Sequence, residues 1–279
     1  MKSMLCCAVV LSLALGLNGS ATADFSYMEF DVPLSTTTAA YGINGSGRIV
    51  GRYDDADGRA HGFLLIDGEY TTLDVPDSTQ TIAYGINGAD DIVGGYVVAG
   101  RIHGFRLGGG EYTTVDVPDS TLPTAYGIND AGRVVGSYFA DGRFHGFLLS
   151  NGEYTTLDVP DSAFTNAFGI NLFGQVVGSY LAGGRVHGFL FNGDKYITLD
   201  FPGSAFTQAN GINDAGQIVG SYMDEGGGVH GFLLSGLEYI LIDVPGSTST
   251  NATGINNAGQ IVGWSSENER SRGFVATPQ

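Results

Sequence analysis

Apolar and polar residues alternate along this chain in short runs, broken at regular places by Gly, Pro, Asn and Asp. The pattern is cleanest from Tyr112 to Glu153, YTTVDVPDSTLPTAYGINDAGRVVGSYFADGRFHGFLLSNGE. Alternation at period two predicts strands with one buried face. It places them at Ala125–Asn129, Arg133–Tyr138, Phe144–Leu149 and Tyr154–Val159. Asp130-Ala131-Gly132 turns the chain between the first two, and Ala140–Gly142 between the next two. Asn151-Gly152 joins the last pair, and Asn-Gly suits a tight hairpin because both residues accept positive φ. Pro160 cannot donate to a ladder and ends the fourth strand. No window sustains an apolar pattern at helical period, so the chain reads as all-β.

The block recurs. Its Gly-Ile-Asn core begins at Gly42, Gly85, Gly127, Gly169, Gly211 and Gly254, in steps of 43, 42, 42, 42 and 43 residues. A period near forty with four strands per repeat predicts a six-bladed β-propeller of four-stranded antiparallel blades, one domain over residues 24–279. The last repeat, from Thr253, has only three strands, ending in Arg272–Ala276. Phe25–Val32 is a spare fourth strand at the other end of the chain. Pairing the two would close the ring and hide its edges.

Residues 1–23 read as a signal peptide, with Lys2, the apolar run Leu5–Leu17 and the small-residue site Ala21-Thr22-Ala23. The expected location is secreted or extracellular, with the periplasm as the other compartment open to it. The apolar run is short for a membrane span, and no later stretch is apolar enough to be one. Both cysteines, Cys6 and Cys7, fall in the leader, so the mature chain has no thiol. Net charge is −17, or −18 once Lys2 is removed. That balance argues against nucleic acid and anionic lipid, which are bound through Lys and Arg clusters. A surface so acidic leaves calcium open as a bound ion. HExxH, CxxC, GxSxG and phosphate-cradling Gly loops are all absent from the sequence.

The cores Gly211–Gly220 and Gly254–Gly263, Gly-Ile-Asn-x-Ala-Gly-Gln-Ile-Val-Gly, are followed by His-Gly-Phe or its variant. This arrangement resembles the HAF-repeat family of extracellular bacterial proteins, over essentially the whole mature chain. The third strand carries His-Gly-Phe where the family motif has Ala. The resemblance implies secretion and a repeat architecture, and brings no catalytic residues.

His61, His103, His145, His187 and His230 share one repeat position on the third strand. Counting outward from the Asn-Gly-type turns sets each opposite an Asp on the fourth strand. The pairs are His61 with Asp74, His103 with Asp116, His145 with Asp158, His187 with Asp200 and His230 with Asp243. In the last repeat Arg272 replaces His, and Asp31 of the N-terminal strand is its expected partner. Such cross-strand pairs contribute roughly 0.2–1 kcal/mol each and should raise the histidine pKa. Third strands of neighbouring blades stand too far apart for shared metal ligation. No metal or catalytic site is expected at these positions.

Asn44, Asn87, Asn129, Asn171, Asn213 and Asn256 end the innermost strands, where they either cap their own turns or ring a channel mouth and touch a ligand. Asp54-Asp55-Ala56-Asp57-Gly58 matches part of a calcium loop and lacks its later carboxylate. Departures from the repeat include Asp91, Arg106, Pro123, Leu172, Phe173, Trp264 and Arg272, and Trp264 is a candidate to stack on a sugar. The expected function is a secreted, non-enzymatic module binding glycan or protein. The alternatives are an extracellular polysaccharide hydrolase or lyase, calcium-assisted, and a structural protein of matrix or envelope. Convergence of Asp57, Asp90, Asp91, Asp224 and Glu225 on one mouth would favour the enzyme. Oligomeric state is open.

Overall fold

The computed structural model describes residues 24–268 and 270–279. The expected leader, with Cys6 and Cys7, lies outside these residues. The described chain contains strands, turns and loops and no helix. The third repeat forms Thr121–Ile128, Val134–Ala140, Arg143–Ser150 and Glu153–Leu157, each antiparallel to the next. The fourth strand stops at Leu157, short of the expected Val159, because the Val159 amide turns aside to donate to Thr165 Oγ1 at 3.0 Å.

The sheet pairing corrects the expectation of a propeller with six discrete four-stranded blades. Four discrete four-stranded blades are present, formed by the first three repeats and by the sixth with the N-terminal strand. The fourth and fifth repeats share one eight-stranded sheet, joined where Val186 pairs in parallel with Phe206. The link between them is the physical cause. Gly203 takes φ +81°, as its counterparts Asp77, Asp161 and Gly246 also take positive φ. Here, however, the Ser204 hydroxyl lies 2.6 and 2.8 Å from the Phe206 and Met223 carbonyls and shares its proton between them. Arg185 donates to the Ser204 carbonyl as Arg59 and Arg143 do to Ser78 and Ser162, so the serine hydroxyl is what sets this link apart. These bonds hold the start of Phe206–Ile212 against the outer end of Arg185–Phe191, close enough for a ladder bridge. At the other end of the chain, Phe25–Phe30 pairs antiparallel with Arg270–Pro278, from Phe25 opposite Pro278 to Phe30 opposite Gly273.

Glycine decides how the repeats meet. An ideal Cβ on Gly42 would sit 2.8 Å from the Tyr84 carbonyl oxygen and 3.2 Å from Gly85 Cα. The same crowding links Gly85 to Gly127, Gly127 to Gly169, Gly169 to Gly211, Gly211 to Gly254 and Gly254 back to Gly42. First strands therefore touch backbone to backbone round a closed ring, and no side chain fits between them. Just before this glycine every first strand carries a β-bulge. Ala40 faces Gly51 while Gly42 faces Val50, which leaves Tyr41 as the extra residue. A bulge re-aims the side chain it carries.

Between repeats lies the core. Phe63, Phe105, Phe147, Phe189, Phe232 and Phe274 are at most 1% exposed. Each ring lies over a glycine of its second strand, as Phe63 does over Gly51, where a Cβ would meet ring carbons at 2.6 Å. Val50 of the first repeat packs with Ala83, Ile86, Ile92 and Phe105 of the second. Ala40, Ile43 and Phe63 pack in the same way with Val262 and Val275 of the last. Full burial of one such side chain stabilises by roughly 1.5–3 kcal/mol.

Candidate binding surface

Because neighbouring strands are antiparallel, the first–second and third–fourth turns share one face of the ring. The second–third turns and the links between repeats share the other. The asparagines mark the first face. Asn44 Oδ1 accepts from the amides of Ser46 and Arg48, both at 3.0 Å, and so caps its own turn. Its Nδ2 donates to the backbone carbonyl of Asn87 at 3.1 Å. The donation passes from Asn87 to Asn129, Asn129 to Asn171, Asn171 to Asn213, Asn213 to Asn256, and from Asn256 back to Asn44. All six side chains are buried. The cavity they surround is about 80 Å³, well under the roughly 300–1,000 Å³ of small-molecule sites.

This face breaks the repeat at Leu172, which lines the cavity, and at Phe173 beside it; they are 43% and 72% exposed. The Leu172 amide donates to Asp214 at 2.8 Å and its carbonyl accepts from Arg133 at 2.5 Å. Asp91, which replaces Arg or Gln, accepts from Arg106 at 2.6 Å, so two departures from the pattern serve each other.

The other mouth is built from the bulged residues, Tyr41, Tyr84, Tyr126, Phe168, Asn210 and Thr253. All are half-buried. The first four form an arc, with ring centroids 5.0, 5.0 and 5.1 Å apart. Two residues upstream stand Ala39, Ile82, Thr124, Asn166, Gln208 and Asn251, also half-buried. On the side away from the tyrosines, Gln208 donates to Asn210 at 2.7 Å, and Asn210 donates to Asn251 at 2.9 Å. This mouth thus has an aromatic half and a carboxamide half. Trp264 is the cross-strand partner of Asn251, and Arg52 that of Ala39, at a position that is Gly or Ser in the four middle repeats. Arg52 is held by Asp54 at 2.8 and 3.0 Å. That bond raises the guanidinium pKa further. Burial raises the pKa of Tyr41, Tyr84 and Tyr126, so these phenols stay protonated at neutral pH. Sequence reasoning singled out Trp264 and missed the bulged column. Aligning the repeats displays it as Tyr, Tyr, Tyr, Phe, Asn, Thr.

The histidines lie away from both mouths. Nδ1 of His61, His103, His145, His187 and His230 is 2.9, 2.7, 2.8, 2.9 and 2.9 Å from Asp74, Asp116, Asp158, Asp200 and Asp243 respectively. Each imidazole stacks on a second-strand tyrosine, as His145 does on Tyr138 at 5.2 Å. In the closing repeat Asp31 accepts from Arg270 at 2.9 Å, whereas Arg272 Nε stays 3.7 Å away. Arg272 is thus an ion-pair neighbour of Asp31, and Arg270 adds a hydrogen bond to the same carboxylate, as Arg143, also two residues before its histidine, does to Asp158.

Asp55 Oδ1 accepts from the amides of Asp57 and Arg59, and Oδ2 faces His61 Nε2 at 3.2 Å. These bonds, led by that from the Arg59 amide, lower its pKa. Asp224 plays the same part for Gly228 and His230 in the fifth repeat. Among the described residues no group of three or more His, Cys, Asp or Glu is placed to hold a metal ion, and no helix is long and apolar enough to cross a membrane. The five off-pattern carboxylates divide between the faces. Asp90 and Asp91 sit in a first–second turn, while Asp57, Asp224 and Glu225 sit in second–third turns of two separate repeats.

No family model matches this chain, and no curated protein does. Solved structures do match. TolB from Acinetobacter baumannii is 14% identical with a TM-score of 0.58, the match covering 83% of this chain and 64% of TolB. An arginine-to-alanine triple variant of AofleA from Arthrobotrys oligospora is 11% identical with a TM-score of 0.52, covering 92% and 93%. A fucose-specific lectin from Aleuria aurantia is 12% identical with a TM-score of 0.48, covering 88% and 98%. At such identities the likeness shows the fold alone. The chain is a β-propeller.

Proposed function

We propose that this protein is an exported, non-enzymatic binding module that takes a neutral glycan in the bowl formed by the bulged residues. One observation carries the reading. Round this mouth the residues differ from repeat to repeat and sort into an aromatic half and a carboxamide half. Aromatic faces offer flat apolar surface to the C–H face of a sugar. Carboxamides supply both donors and acceptors for its hydroxyls. Asp54 is occupied by Arg52, so the bowl presents no free carboxylate to a cation, and the net charge of −17 disfavours an anion. The scatter of the other carboxylates over two faces and several repeats supports binding over turnover. Export and kinship with HAF-repeat proteins belong to the same proposal.

The test is a glycan array probed with the mature protein, followed by calorimetry with Gln208→Ala and Asn166→Ala. Neutral oligosaccharides should bind, and each variant should weaken binding about fivefold, the value of one hydrogen bond of roughly 1 kcal/mol. Binding that neither variant alters would remove the bowl from the account. Sequencing of the exported protein should begin at Asp24.

A further inference from the structure

On the perimeter a Val-Pro follows five of the six fourth strands, and at the first junction its Val75 faces three aromatic residues of the next repeat, Tyr96, Phe105 and Tyr112. Between the first and second repeats this junction is an open slot of about 520 Å³, lined by Val75, Pro76, Tyr96, Phe105, Tyr112 and Thr114, with Glu111 beside them. Between the fourth and fifth repeats the counterpart of Val75 is Phe201, and that junction is filled. The Phe201 ring lies 3.6 Å from Tyr222 and 4° from parallel, with Tyr239 at 5.1 Å. Tyr222 and Tyr239 occupy the repeat positions of Tyr96 and Tyr112. The chain itself thus shows what these walls accept, which is one flat six-membered ring.

The edges of the two slots differ in a matching way. Beside Phe201 the fourth strand reads Tyr239-Ile240-Leu241, and beside the open slot it reads Tyr112-Thr113-Thr114. A phenyl ring needs no hydrogen bonds at its edge, and its slot supplies none there. The open slot offers the Tyr96 hydroxyl and Thr114 Oγ1, 3.3 Å apart, and the Glu111 carboxylate. Hydroxyls beside an aromatic wall suit a ring that carries hydroxyls.

We propose that the junction of the first and second repeats is a second subsite, separate from the bowl, for a single neutral pyranose ring. The sugar's C–H face stacks on Tyr96 as Phe201 stacks on Tyr222, and its hydroxyls meet Thr114, Tyr96 and Glu111. This rests on reading the ligand as a glycan and on a different set of residues, so the two sites succeed or fail independently.

The experiment titrates isotope-labelled mature protein with methyl glycosides of glucose, galactose, mannose and fucose, following amide shifts. Val75→Phe closes the slot with the side chain used at Phe201, and Thr114→Leu removes its edge hydroxyl. Shifts are expected around Tyr96 and Tyr112 in the wild type. They should vanish in Val75→Phe and weaken about fivefold in Thr114→Leu, the loss of one hydrogen bond. They should also persist in Gln208→Ala, which tests the bowl. If Val75→Phe does not fold, Thr114→Leu alone decides. The proposal falls if no glycoside of the panel moves these resonances, or if a folded slot variant leaves the shifts unchanged. Shifts at the slot with a silent bowl would uphold the slot and remove only the bowl reading.

Discussion

The two mouths of the ring sit on the same first strands, a few residues apart, and are built on opposite principles. At the asparagine mouth the residue that closes the ring is the same in every repeat, though the one after it varies from Gly to Asp, Leu and Asn. Each asparagine spends its oxygen on its own turn and its nitrogen on the next repeat. Little is left for a ligand, and the enclosed space holds only a few waters. At the bulged mouth the backbone geometry is just as regular, yet the side chains run from Tyr to Phe, Asn and Thr. Packing evidently does not dictate their identity. Where a ring repeats its chemistry it is holding itself together, and where it varies on a fixed backbone it is free to recognise something else.

The strongest way to break that comparison is to remove one ring asparagine. Asn129→Ala loses two bonds to the amides of Ala131 and Arg133 and one to the Asn171 carbonyl. Leaving such partners unsatisfied next to a buried side chain should cost about 2–4 kcal/mol, read from urea unfolding. Asn129→Asp keeps the acceptor and loses the donor, and should cost less. Gln208→Ala, on the bowl, should change stability by under about 0.5 kcal/mol while weakening glycan binding. An Asn129→Ala variant that stays stable and loses binding would invert the assignment of the two mouths.

A third site sharpens the contrast by repair. In five repeats the amide after the fourth-strand Asp donates to a buried threonine, at Thr38, Thr81, Thr165, Thr207 and Thr250. In the third repeat Pro123 stands there, the pairing shifts between Thr121 and Thr124, and Leu122 is driven to φ +54°. Pro123→Thr should restore the bond and stabilise by about 1 kcal/mol, seen as a higher melting temperature. Unlike a bowl residue, it should leave binding untouched. A loss of stability would mean the link has settled into a different, equally good arrangement.

Much of the fold could be read directly from the residues. The repeat period, the hairpin turns and the spare strand Phe25–Val32 came from alternation and turn chemistry, which act locally. Counting from Asn151-Gly152 set His145 opposite Asp158, because a two-residue turn fixes hairpin register. Contacts between repeats were less legible. The merger of the fourth and fifth repeats depends on one serine rotamer in a link, Ser204, which no periodicity encodes. The second contact that Arg270 and Arg143 make to Asp31 and Asp158 depends on side-chain reach two residues along the strand. The bulge at Tyr41 was hidden because the residue looks like one more member of an alternating strand. Only pairing against Val50 and Gly51 shows that it is extra.

The smallest expected effect concerns the perimeter, where the first and fifth repeats differ from the others by a second carboxylate on the histidine. Burial alone would lower the pKa of His230, but hydrogen bonds and charge from Asp243 and Asp224 outweigh it and hold the value above the usual 6.5. A raised histidine pKa means the folded state binds the proton more tightly than the unfolded chain does. The stabilisation is therefore complete below about pH 6.5 and fades as pH climbs through the folded value. Asp224→Asn keeps an acceptor for the Gly228 amide and removes the charge, so it isolates the pairing. Melting temperatures of wild type and variant should differ most near pH 5.5–6 and converge above about pH 8, where the imidazole is neutral in both. A gap that widened with rising pH would show that Asp224 acts on its own turn and not on His230.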